Sequence, residues 1–344
     1  MARMMRRILI VLVSLGIVAA AVAFGARSWL DSYLDTPLVL EESRILDVPA
    51  GSSLKGIARD LAGEGVLKHP AVLTAWARHT GDAAKIRAGE YELTTDTTAQ
   101  GLIDLLVRGQ AVLHSLTFVE GWTFTQMQAA LDAHPALERT GIGSDAERLM
   151  TELGMPAMAP EGWFLPETYR FSRGTRDLVI LRQAFEAMQE ALEQTWNNRD
   201  DDLPLESPYE ALILASIVER ETGLDAERAK VAGVFVRRLR KGMRLQTDPT
   251  VIYGLGEDFD GDLKRADLRR DTPWNTYTRA GLPPTPIAMP GLASLEAAVK
   301  PAEGTALYFV ATGKGDGSHQ FSDTLEEHNR AVAAYLRRLR QGGR

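Results

Sequence analysis

Hydrophobic patterning along the chain begins with an uncharged apolar run from Ile8 to Phe24, preceded by Arg3, Arg6 and Arg7 and followed by the next charge only at Arg27. With Gly25 and Ala26 the run is just long enough for a helix to cross a bilayer. This predicts a cytoplasmic tail over residues 1–7 and a transmembrane anchor over 8–26, with basic residues placing the N-terminus inside and the rest outside. A cleavable signal peptide is the competing reading, because Ala21-Val22-Ala23 resembles a small-residue cleavage site. The length of the run favours the anchor.

Residues 27–44 read as a short polar tether containing Pro37. From Ile45 the pattern becomes compact. Ile45–Pro49 is extended, Gly51-Ser52-Ser53 caps a helix with apolar positions Leu54, Ile57, Ala58 and Leu61, and Gly65 closes it. A second helix is expected from Pro70 to His79, ending at Gly81, and Gly89–Leu93 alternates as a strand. A third helix carries Leu102, Ile103, Leu105 and Leu106, and Val112, His114, Leu116 and Phe118 form another alternating strand. The order of elements and the Pro-x-Gly-x-Ser turn resemble a LysM-like glycan-binding module over 45–118. A plain packing domain is the alternative.

The remainder, 119–344, is a larger α+β domain built around one nearly uninterrupted apolar helix. Ser207-Pro208-Tyr209-Glu210 offers an N-cap serine, proline at the first helical position and a capping-box glutamate. Leu212, Ile213, Leu214, Ala215, Ile217 and Val218 cover the whole circumference, so burial on all sides is expected, with Gly223 as the stop. Glu219 then falls in the last turn, where the helix dipole and apolar neighbours both disfavour a charged carboxylate. That suits a proton donor. The alternative is a structural glutamate paired to Arg228 or Arg237 at the polar end of a core helix.

Three other segments suggest a cleft. Glu161–Tyr169 mixes aromatics with carboxylates, as sugar sites do. Arg244–Gly254 concentrates short hydrogen-bonding side chains, and Thr272–Gly291 holds five of the 16 prolines, a stiff loop able to present Asn275 and Tyr277.

Composition narrows the classes. At 344 residues, 25% charged and 45% hydrophobic, the chain has room for two or three domains with a sizeable core. A net charge of -7 gives no electrostatic footprint for nucleic acid, and the clusters at Arg237-Arg238-Arg240-Lys241 and Arg337-Arg338-Arg340 read as solvated helix faces. There is no cysteine, hence no disulfide or thiolate metal site, and six scattered histidines without a close pair argue against a metal. No cofactor is implied.

Leu214–Thr222, Met243–Tyr253, the Asn-Thr-Tyr block with Gly-Leu-Pro-Pro, Pro-Ile and Pro-Gly, and the terminal Tyr308-Phe-Val, His319-Gln-Phe-Ser and His328-Asn329 closely resemble the endolytic murein transglycosylase (YceG-like) family. The resemblance runs from the anchor to the C-terminal helix. It implies a single-pass inner-membrane lyase with its catalytic domain in the periplasm, cutting nascent peptidoglycan within the strand, with glycan strands and possible peptidoglycan synthases as partners. It matches the catalytic glutamate to Glu219. One departure is Glu167, which stands where the family pattern has aspartate.

In such a lyase the muramyl 6-hydroxyl attacks the anomeric carbon, so one residue serves as acid and then base. Ser216 would orient Glu219, while Glu161, Gln246, Asp248, Asn275 and Tyr277 are candidates for gripping the sugar. Two alternatives stay open: a non-catalytic peptidoglycan-binding scaffold, and a hydrolytic muramidase using Glu161, Glu167 or Asp248 as second carboxylate.

Overall fold

The computed structural model describes residues 2–49 and 51–342. Met1 of the expected tail, Ala50 of the Pro49-to-Ser53 turn, and Gly343 and Arg344 at the end of the expected catalytic domain lie outside the described residues. The chain divides into two compact units: residues up to His114 with Phe171–Gly174, and Ser115–Arg170 with Thr175–Arg344.

The first unit opens with helix α1 (Ala2–Leu34), whose Met4–Leu34 stretch is long and apolar enough to cross a membrane. The helix does not stop where a tether is expected. Tyr33, Leu34 and Leu38 are buried in the core of this unit together with Leu54, Leu61, Leu73 and Tyr91, and the Tyr33 hydroxyl donates to the Lys68 carbonyl at 2.7 Å. The physical reason is spacing. Leu30, Tyr33 and Leu34 make a helical apolar stripe, and the polar residues between them turn outward.

Strand β1 (Arg44–Val48), helices α2 (Leu54–Gly63) and α3 (Pro70–Thr80), strand β2 (Gly89–Leu93) and helix α4 (Ala99–Arg108) follow. β1 and β2 pair antiparallel with Arg44 opposite Leu93. The Ser53 hydroxyl accepts from Gly56 N at 3.2 Å, and all four apolar positions expected on α2 are buried. The strand expected over Val112–Phe118 is shorter, since Val112 N donates to the Glu90 carbonyl instead.

Next come β3 (His114–Thr117), α5 (Phe124–Ala133), β4 (Leu137–Glu138), α6 (Ala146–Glu152), β5 (Thr168–Phe171) and β6 (Thr175–Arg176). The rest is mainly helical: α7 (Asp177–Asn197), α8 (Pro208–Glu221), α9 (Asp225–Arg240), α10 (Asp248–Leu255) and α11 (Leu292–Val299). A hairpin of β7 (Tyr308–Ala311) and β8 (His319–Ser322) leads into α12 (Leu325–Gly342). All sheets among the described residues are two-stranded.

α8 occupies the middle of the second unit, with α7, α9, α10 and α11 packed around it. Ala211 to Val218 are all buried, and each fully buried Leu or Ile contributes roughly 1.5–3 kcal/mol. Ser207 caps the helix by accepting from Glu210 N at 3.3 Å, but the Glu210 carboxylate reaches Glu206 N, so the capping box is not completed. The helix also ends before Gly223. Thr222 turns extended, its hydroxyl accepting from Leu224 N at 3.1 Å, which stops the helix without a glycine.

Candidate active site

A cavity of about 480 Å³ opens beside the end of α8 and is lined by Glu221, Arg238, Gln246, Asp248, Tyr277 and His319 among others. Another, of about 570 Å³ between α7, α9 and α11, contains neither glutamate of the last turn of α8. The first therefore holds the candidate chemistry.

Glu221 takes the hydroxyl proton of Thr247 as a hydrogen bond. Thr247 is itself fixed, its N–H donating to the Thr276 hydroxyl at 3.1 Å and its carbonyl accepting from Thr250 at 2.7 Å. Burial pushes the Glu221 carboxyl up to about 7, the negative Asp248 adds to the rise, and the Thr247 hydrogen bond opposes it. An acid so poised carries its proton near neutral pH on a rigid mount.

Glu219 stands elsewhere. Its Oε2 accepts from Gly291 N at 2.9 Å and its Oε1 lies 3.7 Å from the Arg228 guanidinium, with the side chain only 5% exposed. Glu120 reaches the same guanidinium at 3.9 Å. A Cβ on Gly291 would come within 1.8 Å of Glu120 Oε1, so a larger residue there would have to displace the Glu120 side chain. Glu219 meets a backbone donor and the Arg228 guanidinium, the pairing that the sequence offers as the structural alternative to a proton donor, and it does not line the cavity that holds Gln246, Asp248 and Tyr277.

Three further expected site residues serve the scaffold. The Ser216 hydroxyl donates to the Ile213 carbonyl at 2.7 Å and accepts from Ile287 N at 3.0 Å, pinning the proline-rich loop to α8 and not orienting Glu219. Asn275, fully buried, donates to the carbonyls of Asp267, Leu268 and Arg270 and accepts from Tyr277 N at 2.8 Å, so its amide is consumed within its own loop. Glu161 is buried, accepting from Phe124 N at 3.0 Å and the Tyr253 hydroxyl at 3.1 Å; burial raises its carboxyl to about 7. It ties the first turn of α5 to α10. Close approach also explains Gly162, where a Cβ would sit 2.5 Å from Pro286.

Gln246, Asp248 and Tyr277 do meet in the cavity. The Tyr277 hydroxyl donates to Asp248 at 2.6 Å, and Gln246 sits at a φ of 51°, a left-handed conformation costly for a non-glycine residue. Glu167 is exposed and absent from the cavity lining.

Arg238 departs from its expected place on a solvated face. It is buried, bonding the carbonyls of Leu307 at 2.7 Å and Leu245 at 2.8 Å while its guanidinium lies 5.0 Å from the Tyr308 ring centroid. Tyr308 stacks in turn on His328, whose imidazole is held below its ordinary range by burial and by Arg238. The sequence carries a signal for Glu221, the second acid of Glu219-Arg220-Glu221, but none for which of the two faces the cavity.

A half-buried carboxylic acid beside hydroxyl, amide and aromatic groups in an open cavity suits acid-assisted cleavage of a sugar chain. The chain belongs to the YceG-like family, whose model matches residues 46–334. It is 32% identical over 308 residues to an endolytic murein transglycosylase of Bacillus subtilis (strain 168), covering 85% of this chain and 84% of that protein. It is 26% identical over 358 residues to an endolytic murein transglycosylase of Streptococcus pneumoniae serotype 2, covering 94% of this chain but 64% of that longer protein. Its fold is similar to the crystal structure of a yceG-like protein from Listeria monocytogenes, with TM-score 0.53, 30% identity and coverage of 85% and 99% of the two chains.

Proposed function

We propose that this protein is an endolytic murein transglycosylase, a lyase that cuts peptidoglycan glycan strands internally and leaves 1,6-anhydromuramyl ends. The observation that carries the reading is Glu221: an acid raised to about 7 by burial, in a cavity with Gln246, Asp248 and Tyr277. The sequence reading gives the acid's role to Glu219, and the surroundings of the two carboxyls favour Glu221. Protonated Glu221 donates to the departing glycosidic oxygen. As carboxylate it then removes the proton from the muramyl 6-hydroxyl as that oxygen closes on the anomeric carbon, so one group serves both half-steps. Asp248, Tyr277 and Gln246 supply hydrogen bonds to sugar hydroxyl and acetamido groups.

The apolar start of α1 anchors the enzyme in the bacterial inner membrane with its N-terminus inside and the catalytic unit in the periplasm, as the leading arginines favour. The β–α–α–β order of β1, α2, α3 and β2 supports a LysM-like, glycan-capturing role for residues 45–118, leaving 119–344 as the catalytic domain. Peptidoglycan synthases are the natural partners of an enzyme that trims new strands at the membrane. Mass spectrometry of digested, uncrosslinked glycan strands tests the activity. Anhydro ends identify the lyase, reducing ends would make it a hydrolytic muramidase, and intact strands would leave only a binding scaffold.

A further inference from the structure

The cavity beside Glu221 has a second polar device that the acid–base cycle does not use. His319, at the start of β8, lines the cavity, and its Nδ1 lies 2.8 Å from Oε2 of Glu227 on α9. The backbone N–H of His319 donates to the same carboxylate at 3.1 and 3.2 Å. Both side chains are only 13% exposed, and Phe309 packs edge-on against the imidazole with ring centroids 5.4 Å apart. The ring is thereby locked in position and in rotation.

The lock also selects the proton's place. A carboxylate oxygen accepts, so in the neutral imidazole the nitrogen facing Glu227 carries the hydrogen and Nε2 keeps its lone pair. Carboxylates impose one tautomer on an imidazole in this way wherever the other nitrogen has work to do. Nε2 makes no hydrogen bond among the described residues, yet it is not one of the buried polar atoms lacking a partner, so it is accessible. Glu227 does not line the cavity and His319 does, which leaves the ring's open side to the cavity.

We infer that His319, with its tautomer fixed by Glu227, is a further substrate-touching residue that accepts a hydrogen bond at Nε2 from a sugar hydroxyl bound in the cavity beside Glu221. The inference rests on reading that cavity as the glycan site. Glu227 is then a positioning residue, acting only through the imidazole. The pairing also gives the β7–β8 hairpin a task in the site: its first strand supplies Tyr308 and Phe309, and its second supplies His319.

The test uses the full chain in detergent micelles, carrying Glu221→Gln so that binding is read without cleavage, with fluorescently labelled uncrosslinked glycan oligomers as probe. His319→Ala should weaken oligomer binding about tenfold, the scale of one lost hydrogen bond to a buried site, and His319→Gln, which restores an acceptor, should recover part of it. Binding within twofold of the parent in His319→Ala would overturn the inference. Nitrogen-15 NMR of the imidazoles gives a readout that a merely structural pair would not move. The His319 signals, assigned by their loss in His319→Gln, should show a protonated Nδ1 and a bare Nε2, and Nε2 should shift on adding oligomer. In Glu227→Gln the two tautomers should mix and binding should weaken severalfold. A protonated Nε2, or an Nε2 indifferent to oligomer, would overturn the inference even if a variant fails to fold. Cleavage persisting in the Glu221→Gln parent would instead sink the reading of the cavity on which the inference stands.

Discussion

Glu219 and Glu221 stand two residues apart in the last turn of α8, and their carboxylates share no partner: one meets Gly291 N and Arg228, the other Thr247 and the cavity. Successive residues on a helix are turned by about 100°, so these two point to nearly opposite sides. Glu221→Gln should therefore abolish nearly all strand cleavage with an unchanged melting curve, since shape and helix propensity barely alter. Glu219→Gln should keep cleavage within about tenfold of the parent while lowering the melting temperature, because it unbalances the buried Arg228. The reverse pattern would return the acid's role to Glu219.

Activity should follow the protonated form of Glu221. Its carboxyl is raised to about 7, so kcat/KM should be level below that value and fall roughly tenfold per pH unit above it. Asp248→Asn removes one of the influences that raise it, so the falling limb should move to lower pH. A limb unmoved in Asp248→Asn, or a rate flat well above pH 7, would contradict this account.

Glu161 should leave its mark on stability and not on the rate profile. Its carboxyl goes from an ordinary 4.5 to about 7 on folding, so the folded state binds the extra proton between those values. Stability then falls as pH rises from 4.5 towards 7 and stays lower above it, by at most about 3 kcal/mol. Glu161→Gln keeps an acceptor oxygen for Phe124 N and turns the other contact round, its amide N–H donating to the Tyr253 hydroxyl oxygen, without the charge. Its melting temperature should exceed the parent's at pH 8 and match it near pH 4.5; an equal difference at both would refute the assignment.

Asn275→Ala removes an amide that serves three carbonyls and one N–H inside the protein. Leaving these groups unmet should cost about 2–4 kcal/mol. Because Tyr277 depends on that loop, KM for oligomers should rise as well. Unfolding by urea and steady-state kinetics check both halves, and an unchanged KM would separate the loop from substrate binding.

Deleting residues 1–27 should release a soluble, folded, active protein, since the membrane-spanning part of α1 contributes nothing to the buried core. Deleting residues 1–40 removes Tyr33, Leu34 and Leu38 from that core and should destabilise the first unit by several kcal/mol. Equal melting curves for the two truncations would show that the last turns of α1 are a tether after all.

By itself the sequence determined whatever depends on near neighbours in the chain. It set the apolar run of α1, the Ser207-Pro208 start of α8 and the burial of Ala211 to Val218, because caps, fixed φ angles and one-face or all-face hydrophobicity act within a few residues. The helical stripe of Leu30, Tyr33 and Leu34 was equally present but short and interleaved with Asp31, Ser32 and Asp35, so only the core it enters distinguishes it from a tether. Tertiary structure alone decided which acid of Glu219-Arg220-Glu221 meets the cavity, since both are equally polar and equally placed in the last turn. It likewise decided that Arg238 is buried by carbonyls of a distant segment and that Asn275 is spent on its own loop. Glu227 and His319, 92 positions apart, became a pair only when the β7–β8 hairpin packed beside α9, a contact that no local propensity encodes.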